Sequence, residues 1–162
     1  MNTKAWGPSG WTFMFSCIMG RFPETTLDEH AQIVEDFITL FSSMERILPC
    51  VYCRDSFKVF YNELDITEYT DSRDNMMRWL YLIKDKVNKK LLKQEQMEFA
   101  KEKYALVNSL LSGIITQQEY TDSLVRLKKE IFCTVESPPF EDVLAYYKGF
   151  KASCSVRVKR CL

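Results

Sequence analysis

The sequence predicts an all-α fold: a four-helix bundle followed by additional C-terminal helices. Three observations predict it. Apolar residues recur at spacings of three and four over most of the chain, sustained period-two alternation is nearly absent, and 162 residues contain only five Gly and five Pro. Hydrophobic residues make up 46%, charged residues 27%, and Lys plus Arg equal Asp plus Glu at 22 each, which excludes intrinsic disorder and a broad electrostatic field for nucleic acid. A chain of this length buries roughly 70% of its unfolded surface, so its core needs no covalent staple. The longest apolar-rich stretch, Phe13 to Met19, is interrupted by Ser16 and is too short to span a bilayer. No apolar h-region of an export signal follows Met1. The expectation is a cytoplasmic protein without nucleic-acid or membrane partners.

Each helix has its own signals. Pro8 and Ser9 open the first, whose stripe Trp11, Met14, Phe15, Ile18 and Met19 is closed by Gly20 and Pro23. Thr26 with Glu29 forms a capping box for the second, which buries Ile33, Val34, Phe37, Ile38, Phe41 and Met44. A third begins near Pro49, puts Cys50, Cys53, Phe57 and Phe60 on one side and ends near Asn62. Ser72 caps the fourth, with the stripe Met76, Leu80, Ile83, Val87 and Leu91. Further helices run from Glu95 to Leu111, stopped by Gly113, from Thr116 with its Glu119 box through Ile131, and after Ser137-Pro138-Pro139. The bundle is expected over residues 1–94, and residues 95–162 form an additional helical region with a basic, cysteine-containing tail.

The six cysteines, Cys17, Cys50, Cys53, Cys133, Cys154 and Cys161, carry the chemical signal. Residues three apart on a helix have Cα atoms about 5 Å apart, inside the window of roughly 4.4–6.8 Å that a disulfide requires. Cys50 and Cys53 can therefore open and close a bond with little backbone movement. At a helix start the unpaired N–H groups and the positive end of the dipole favour a thiolate. The same spacing also serves zinc sites and thioredoxin-like proteins. Zinc would need two more ligands, against one His, His30, inside a capped helix, so no metal site is expected. A thioredoxin motif follows a strand, whereas Cys50 follows the helical segment Ile33 to Met44. A pair of structural thiols in a helical adaptor remains the rival from another functional class. Cys17 and Cys133 lie in apolar helical stretches and are expected to be buried free thiols.

Three motifs over about the first ninety residues are similar to those of the Erv/ALR FAD-linked sulfhydryl oxidases. They are Trp11-Thr12-Phe13-Met14-Phe15 before Phe22-Pro23, then Pro49-Cys50-Val51-Tyr52-Cys53, and Trp79 followed by Lys84-Asp85-Lys86-Val87-Asn88 and Leu91-Leu92-Lys93. Departures accompany them. Phe15 stands where the family has a His, Lys84 and Asp85 replace a His-Asn pair, and Tyr81 replaces a cysteine of a structural bridge whose second partner is also missing near Glu98. This divergence resembles compact members encoded by large DNA viruses, which would place the protein in host cytoplasm or virion.

The resemblance implies oxidation of protein dithiols, with Cys50 attacked by the incoming thiolate, Cys53 next to the flavin, and electrons passing through FAD to oxygen to give hydrogen peroxide. It also implies a homodimer, and protein dithiols or a thioredoxin-like protein as redox partner. Residues 84, 88 and 91 share one helix face, as do 79, 83 and 87, so the fourth helix can present aromatic, amide and ammonium groups to a dinucleotide. Trp11, Phe15, Trp79 and Val87 are candidates for the ring slot, Lys84, Asn88 and Leu91 for further contacts, and Lys90 or Lys93 for the pyrophosphate. The same aromatic residues at helical spacing also read as ordinary core. Cys154 and Cys161 are the candidates for a shuttle pair. At a separation of seven they are about 10 Å apart on a helix, so a turn would have to bring them together.

Overall fold

The computed structural model describes residues 3–149, which contain six α-helices. They are α1 (Thr3–Arg21), α2 (Ala31–Ile47), α3 (Val51–Glu63), α4 (Arg73–Leu111), α5 (Gln117–Ile131) and α6 (Phe140–Gly149). The only pairing of β type among the described residues is a single bridge between Thr25 and Ser72. Among the described residues, no helix is long and apolar enough to cross a membrane.

The chain divides into two compact units. In the first, residues 3–84 with 138–149, the apolar stripes of α1, α2, α3, the beginning of α4 and α6 share one core. Phe15, Ile18, Phe22, Phe41, Met76, Met77, Trp79, Leu80 and Ile83 are its fully buried side chains. The stripes are those the sequence predicts: Met14, Phe15, Ile18 and Met19 on α1, and Phe37, Phe41 and Met44 on α2, with Ile33, Val34 and Ile38 partly buried beside them. In α6, Phe140 is buried among Tyr81, whose ring centroid lies 5.4 Å away, and the Arg78 guanidinium, 4.2 Å above the ring.

Three local expectations are corrected. Pro8 lies inside α1 instead of opening it, and removes one ladder bond while the Thr12 hydroxyl donates to its carbonyl at 3.0 Å. Thr26 does not cap α2. Its hydroxyl donates to the Thr70 carbonyl at 2.6 Å and its N–H to Asp71 at 2.8 Å, tying the loop before α2 to the loop before α4. A 3-10 turn over Asp28–His30 leads into α2 instead, and His30 Nδ1 accepts the Leu27 N–H at 3.1 Å. The helix expected from Glu95 is the continuation of α4, which runs unbroken for 39 residues because no Gly or Pro occurs between Arg73 and Ser112.

The second unit, residues 85–137, holds the remainder of α4 and α5. Gly113 ends α4 at φ 70°, the left-handed conformation that lets its N–H reach Leu110 at 3.1 Å and the Ile114 N–H reach Ser109 at 2.9 Å. Thr116 and Glu119 then form the expected capping box of α5. At the far end of α5 the Glu95 carboxylate accepts the N–H groups of Cys133 and Thr134 and the Thr134 hydroxyl, the last at 2.7 Å. Phe99 and Phe132 pack at 5.2 Å beside it.

Candidate active site

The turn between α2 and α3 presents the two cysteines. Pro49 cannot continue α2, and the residue before a proline is driven from helical to extended backbone, as Leu48 shows at φ −56° and ψ 135°. Cys50 is then the N-cap of α3, in extended conformation, and its carbonyl accepts the N–H groups of Cys53 at 3.1 Å and Arg54 at 3.0 Å. Arg54 closes the corner from the other side, its guanidinium donating to the Leu48 carbonyl at 2.6 Å. The corner is therefore fixed at both ends by groups belonging to the first turn of α3.

Both cysteines are half-buried and are not joined in a disulfide. A hydrogen bond with the Cys53 side chain holds the Cys50 thiol below the ordinary thiol range, helped by the backbone N–H groups of Cys53 and Tyr52. These contacts favour negative charge on Cys50. The helix α3 begins at Val51, within one turn of the predicted start, with Cys50 as its N-cap.

The predicted cofactor residues separate into groups. Phe15 and Lys84 come together in a pocket of about 310 Å³ in the first unit, whose walls also include Tyr81, Asp142, Tyr146 and Tyr147. Phe15 stacks on Tyr147 with ring centroids 5.0 Å apart, and burial pushes the Tyr147 phenol up, against the opposing effect of its hydrogen bond with Thr12. Pro138 and Val143 complete the lining, and none of these six residues stands out as a site residue in the sequence. The signal for Tyr147 was available as the spacing Phe140, Val143, Leu144, Tyr147 on an amphipathic helix. Trp11 is half-buried against the core of the first unit. Trp79 is fully buried, with its indole between Phe41 and Tyr61 and its N–H donated to the Leu64 carbonyl at 3.0 Å, so its environment is that of a core residue.

Val87, Asn88, Leu91 and Lys93 belong to the second unit. There Val87 is half-buried, Leu91 and Lys93 are exposed, and the Asn88 amide donates to Ser137 at 3.0 Å and to the Val135 carbonyl. Cys17 is half-buried and its thiol is pushed up by burial. Cys133 corrects the expectation of a buried thiol: α5 stops at Ile131, so Cys133 lies past the apolar stripe and is exposed. Cys154 and Cys161 lie outside the described residues. Among those that are described, no cluster of three or more His, Cys, Asp or Glu side chains could hold a metal ion.

A helical core with two cysteines at the start of a helix is an arrangement distinct from the strand-borne pair of a thioredoxin. The sequence profile of the Erv1/Alr family matches residues 8–105, and the chain belongs to that family. A probable FAD-linked sulfhydryl oxidase of Acanthamoeba polyphaga mimivirus is 31% identical over 89 residues, 54% of this chain and 59% of that protein. The mitochondrial FAD-linked sulfhydryl oxidase of Saccharomyces cerevisiae is 31% identical over 87 residues, 54% of this chain and 43% of that protein. The chain thus spans about half the length of the curated relatives it matches. The crystal structure of the yeast Erv1 core aligns with a TM-score of 0.49 at 26% identity, covering 56% of this chain and 72% of that one.

Proposed function

We propose that the chain is an FAD-dependent thiol oxidase that forms disulfide bonds in protein substrates and passes the electrons to oxygen. The observation that carries the reading is the Cys50–Cys53 pair across the first turn of α3, in a chain of the Erv1/Alr family whose two curated relatives are named as FAD-linked sulfhydryl oxidases.

In the oxidised state of the pair, a substrate thiolate attacks Cys50 and Cys53 leaves as a thiolate. A second substrate thiolate then attacks the substrate sulfur of the mixed disulfide and releases Cys50. The substrate loses two electrons and two protons, and the pair gains them. The contacts that favour charge on Cys50 make it a good leaving group in that last exchange.

The pocket holding Phe15 and Lys84 fits part of a flavin nucleotide. Its aromatic walls suit a planar ring and its ammonium suits an anionic group, while about 310 Å³ lies at the low end of the roughly 300–1,000 Å³ typical of organic-ligand pockets. We assign Phe15 and Lys84 to the cofactor. When bound, FAD supplies a two-electron acceptor that oxygen can regenerate with release of hydrogen peroxide.

The test is the purified chain. Yellow protein that consumes oxygen and forms peroxide with dithiothreitol is expected, and Cys50→Ser and Cys53→Ser should each abolish turnover while keeping the colour. Colourless protein with no oxygen uptake would sink the proposal.

A further inference from the structure

The corner that carries Cys50 is surrounded by apolar side chains that the fold leaves in solvent. Ile47, the last residue of α2, is 63% exposed, and Val51 and Tyr52, the first two residues of α3, are 51% and 77% exposed. Pro49 between them is also exposed. Residues 47–53 contain no charged side chain at all. A free-standing exposed Val or Ile needs no explanation, but four apolar residues contiguous with a half-buried nucleophilic sulfur form a patch.

The covalent chemistry says what covers the patch. A sulfur bonded to Cys50 lies about 2 Å from Sγ, and the bonded residue's Cα lies within roughly 7 Å of the Cys50 Cα. The residues on either side of a substrate cysteine are then within reach of Ile47, Val51 and Tyr52, the chain neighbours of Cys50. We infer that the patch selects its substrate: an extended polypeptide segment whose cysteine is flanked by apolar or aromatic side chains, as in a chain that has not finished folding. The inference rests on the proposed oxidase reading and deepens it.

The exchange is the one already balanced. One S–S bond forms between the segment and Cys50 as the Cys50–Cys53 bond breaks, and the second thiolate of the segment resolves it, leaving a substrate disulfide and a reduced pair that the flavin and then oxygen reoxidise. The patch adds only the noncovalent contacts that hold the segment during the two displacements. A charged tripeptide such as glutathione gains nothing from the apolar side chains of Ile47, Val51 and Tyr52, and a small dithiol gains nothing from a surface it does not reach.

The experiment uses the full chain with its cofactor and three substrates: a flexible peptide with two cysteines, each flanked by Leu and Phe, the same peptide with Ser and Glu at those places, and dithiothreitol. Oxygen uptake gives kcat/KM for each. The expected preference for the apolar peptide over the polar one is about tenfold or more, since covering two or three half-exposed apolar side chains provides that much. In Ile47→Ser and in Tyr52→Ser that preference should fall severalfold when expressed relative to dithiothreitol, and Val51→Ser offers a third position if either variant folds poorly by circular dichroism. Equal kcat/KM for the two peptides overturns the inference, and so does a preference that all three variants retain. If the preference disappears only when Cys154 and Cys161 are also changed to Ser, the patch serves the chain's own tail and the inference is overturned. Absence of turnover with dithiothreitol sinks the oxidase reading itself, a result distinguishable from the others.

Discussion

Replacing Trp79 by Phe separates a core tryptophan from one that merely lines a slot. The indole is fully buried, packed between Phe41 at 4.9 Å and Tyr61 at 5.9 Å, with its N–H on the Leu64 carbonyl. Phe removes the donor and leaves a half-buried carbonyl short of a partner, which costs about 1 kcal/mol. It also removes three ring atoms from a site whose neighbours are themselves held in the core. Lost transfer and the residual cavity together cost on the order of 2 kcal/mol. The expected loss is about 3 kcal/mol, or roughly 6–12 °C in Tm for a chain of this size. Urea unfolding followed by far-ultraviolet circular dichroism measures it, with the midpoint falling and the slope unchanged. Trp6 is the internal control, because its Nε1 is buried without a hydrogen-bond partner and its residue is only half-buried. Trp6→Phe relieves an orphaned donor and should cost less than about 1 kcal/mol. A loss below about 1 kcal/mol for Trp79→Phe, or equal losses for the two, would refute the assignment of Trp79 to the core and of its N–H to Leu64.

Two further outcomes follow from other parts of the chain. The Cys53 contacts favour the charged form of Cys50, so at a given pH its thiolate fraction exceeds that of an ordinary thiol, while burial does the reverse to Cys17. Iodoacetamide labelling across pH, read by mass spectrometry, should therefore reach half its maximal rate at a lower pH for Cys50 than for Cys17, and the opposite order would contradict the hydrogen bonding described. In the second unit, Glu95→Ala removes the acceptor for two backbone N–H groups and a hydroxyl beyond α5, costing about 1.5–3 kcal/mol of local stability. Amide exchange at Cys133 and Thr134 should accelerate by one to two orders of magnitude while Cys50 labelling stays unchanged, and unaltered exchange would show that those bonds contribute nothing.

Much of this was readable before any coordinates, for reasons that differ by element. The stripes of α1 and α2 and the capping box of α5 were legible because their determinants are local: spacing along one face, or a Thr and Glu three residues apart. The Thr26–Glu29 pair satisfies the same pattern and fails because a competing acceptor, the Thr70 carbonyl 44 residues away, takes the hydroxyl. No local rule can foresee that. Likewise the unbroken extent of α4 follows from the absence of a Gly or Pro between Arg73 and Ser112, which the sequence shows although a separate helix was expected from Glu95. The place of the cysteine pair at the start of α3 was legible from Pro49 and the spacing. Of the pocket's walls only Phe15 and Lys84 were singled out from the sequence, since Asp142, Tyr146 and Tyr147 reach it through the packing of α6 beside α1, a contact between residues more than a hundred positions apart.

That contrast bears on how the dithiol works. Its position does not depend on distant contacts of that kind: Pro49 sets the corner, the Cys50 carbonyl accepts from Cys53 and Arg54, and the Arg54 side chain returns to Leu48, all within seven residues. A pair held by such short-range restraints can pass between thiol and disulfide while α2 and α3 stay packed, because the two sulfurs move and the backbone bonds at the corner do not have to break. The surrounding core then supplies something different, a rigid backing that keeps the corner at the surface. Stability and exchange are in this way placed on separate groups of residues. Damage to Trp79 is expected to lower the temperature at which the chain unfolds, whereas changes at Ile47 and Tyr52 are expected to alter which thiols it oxidises.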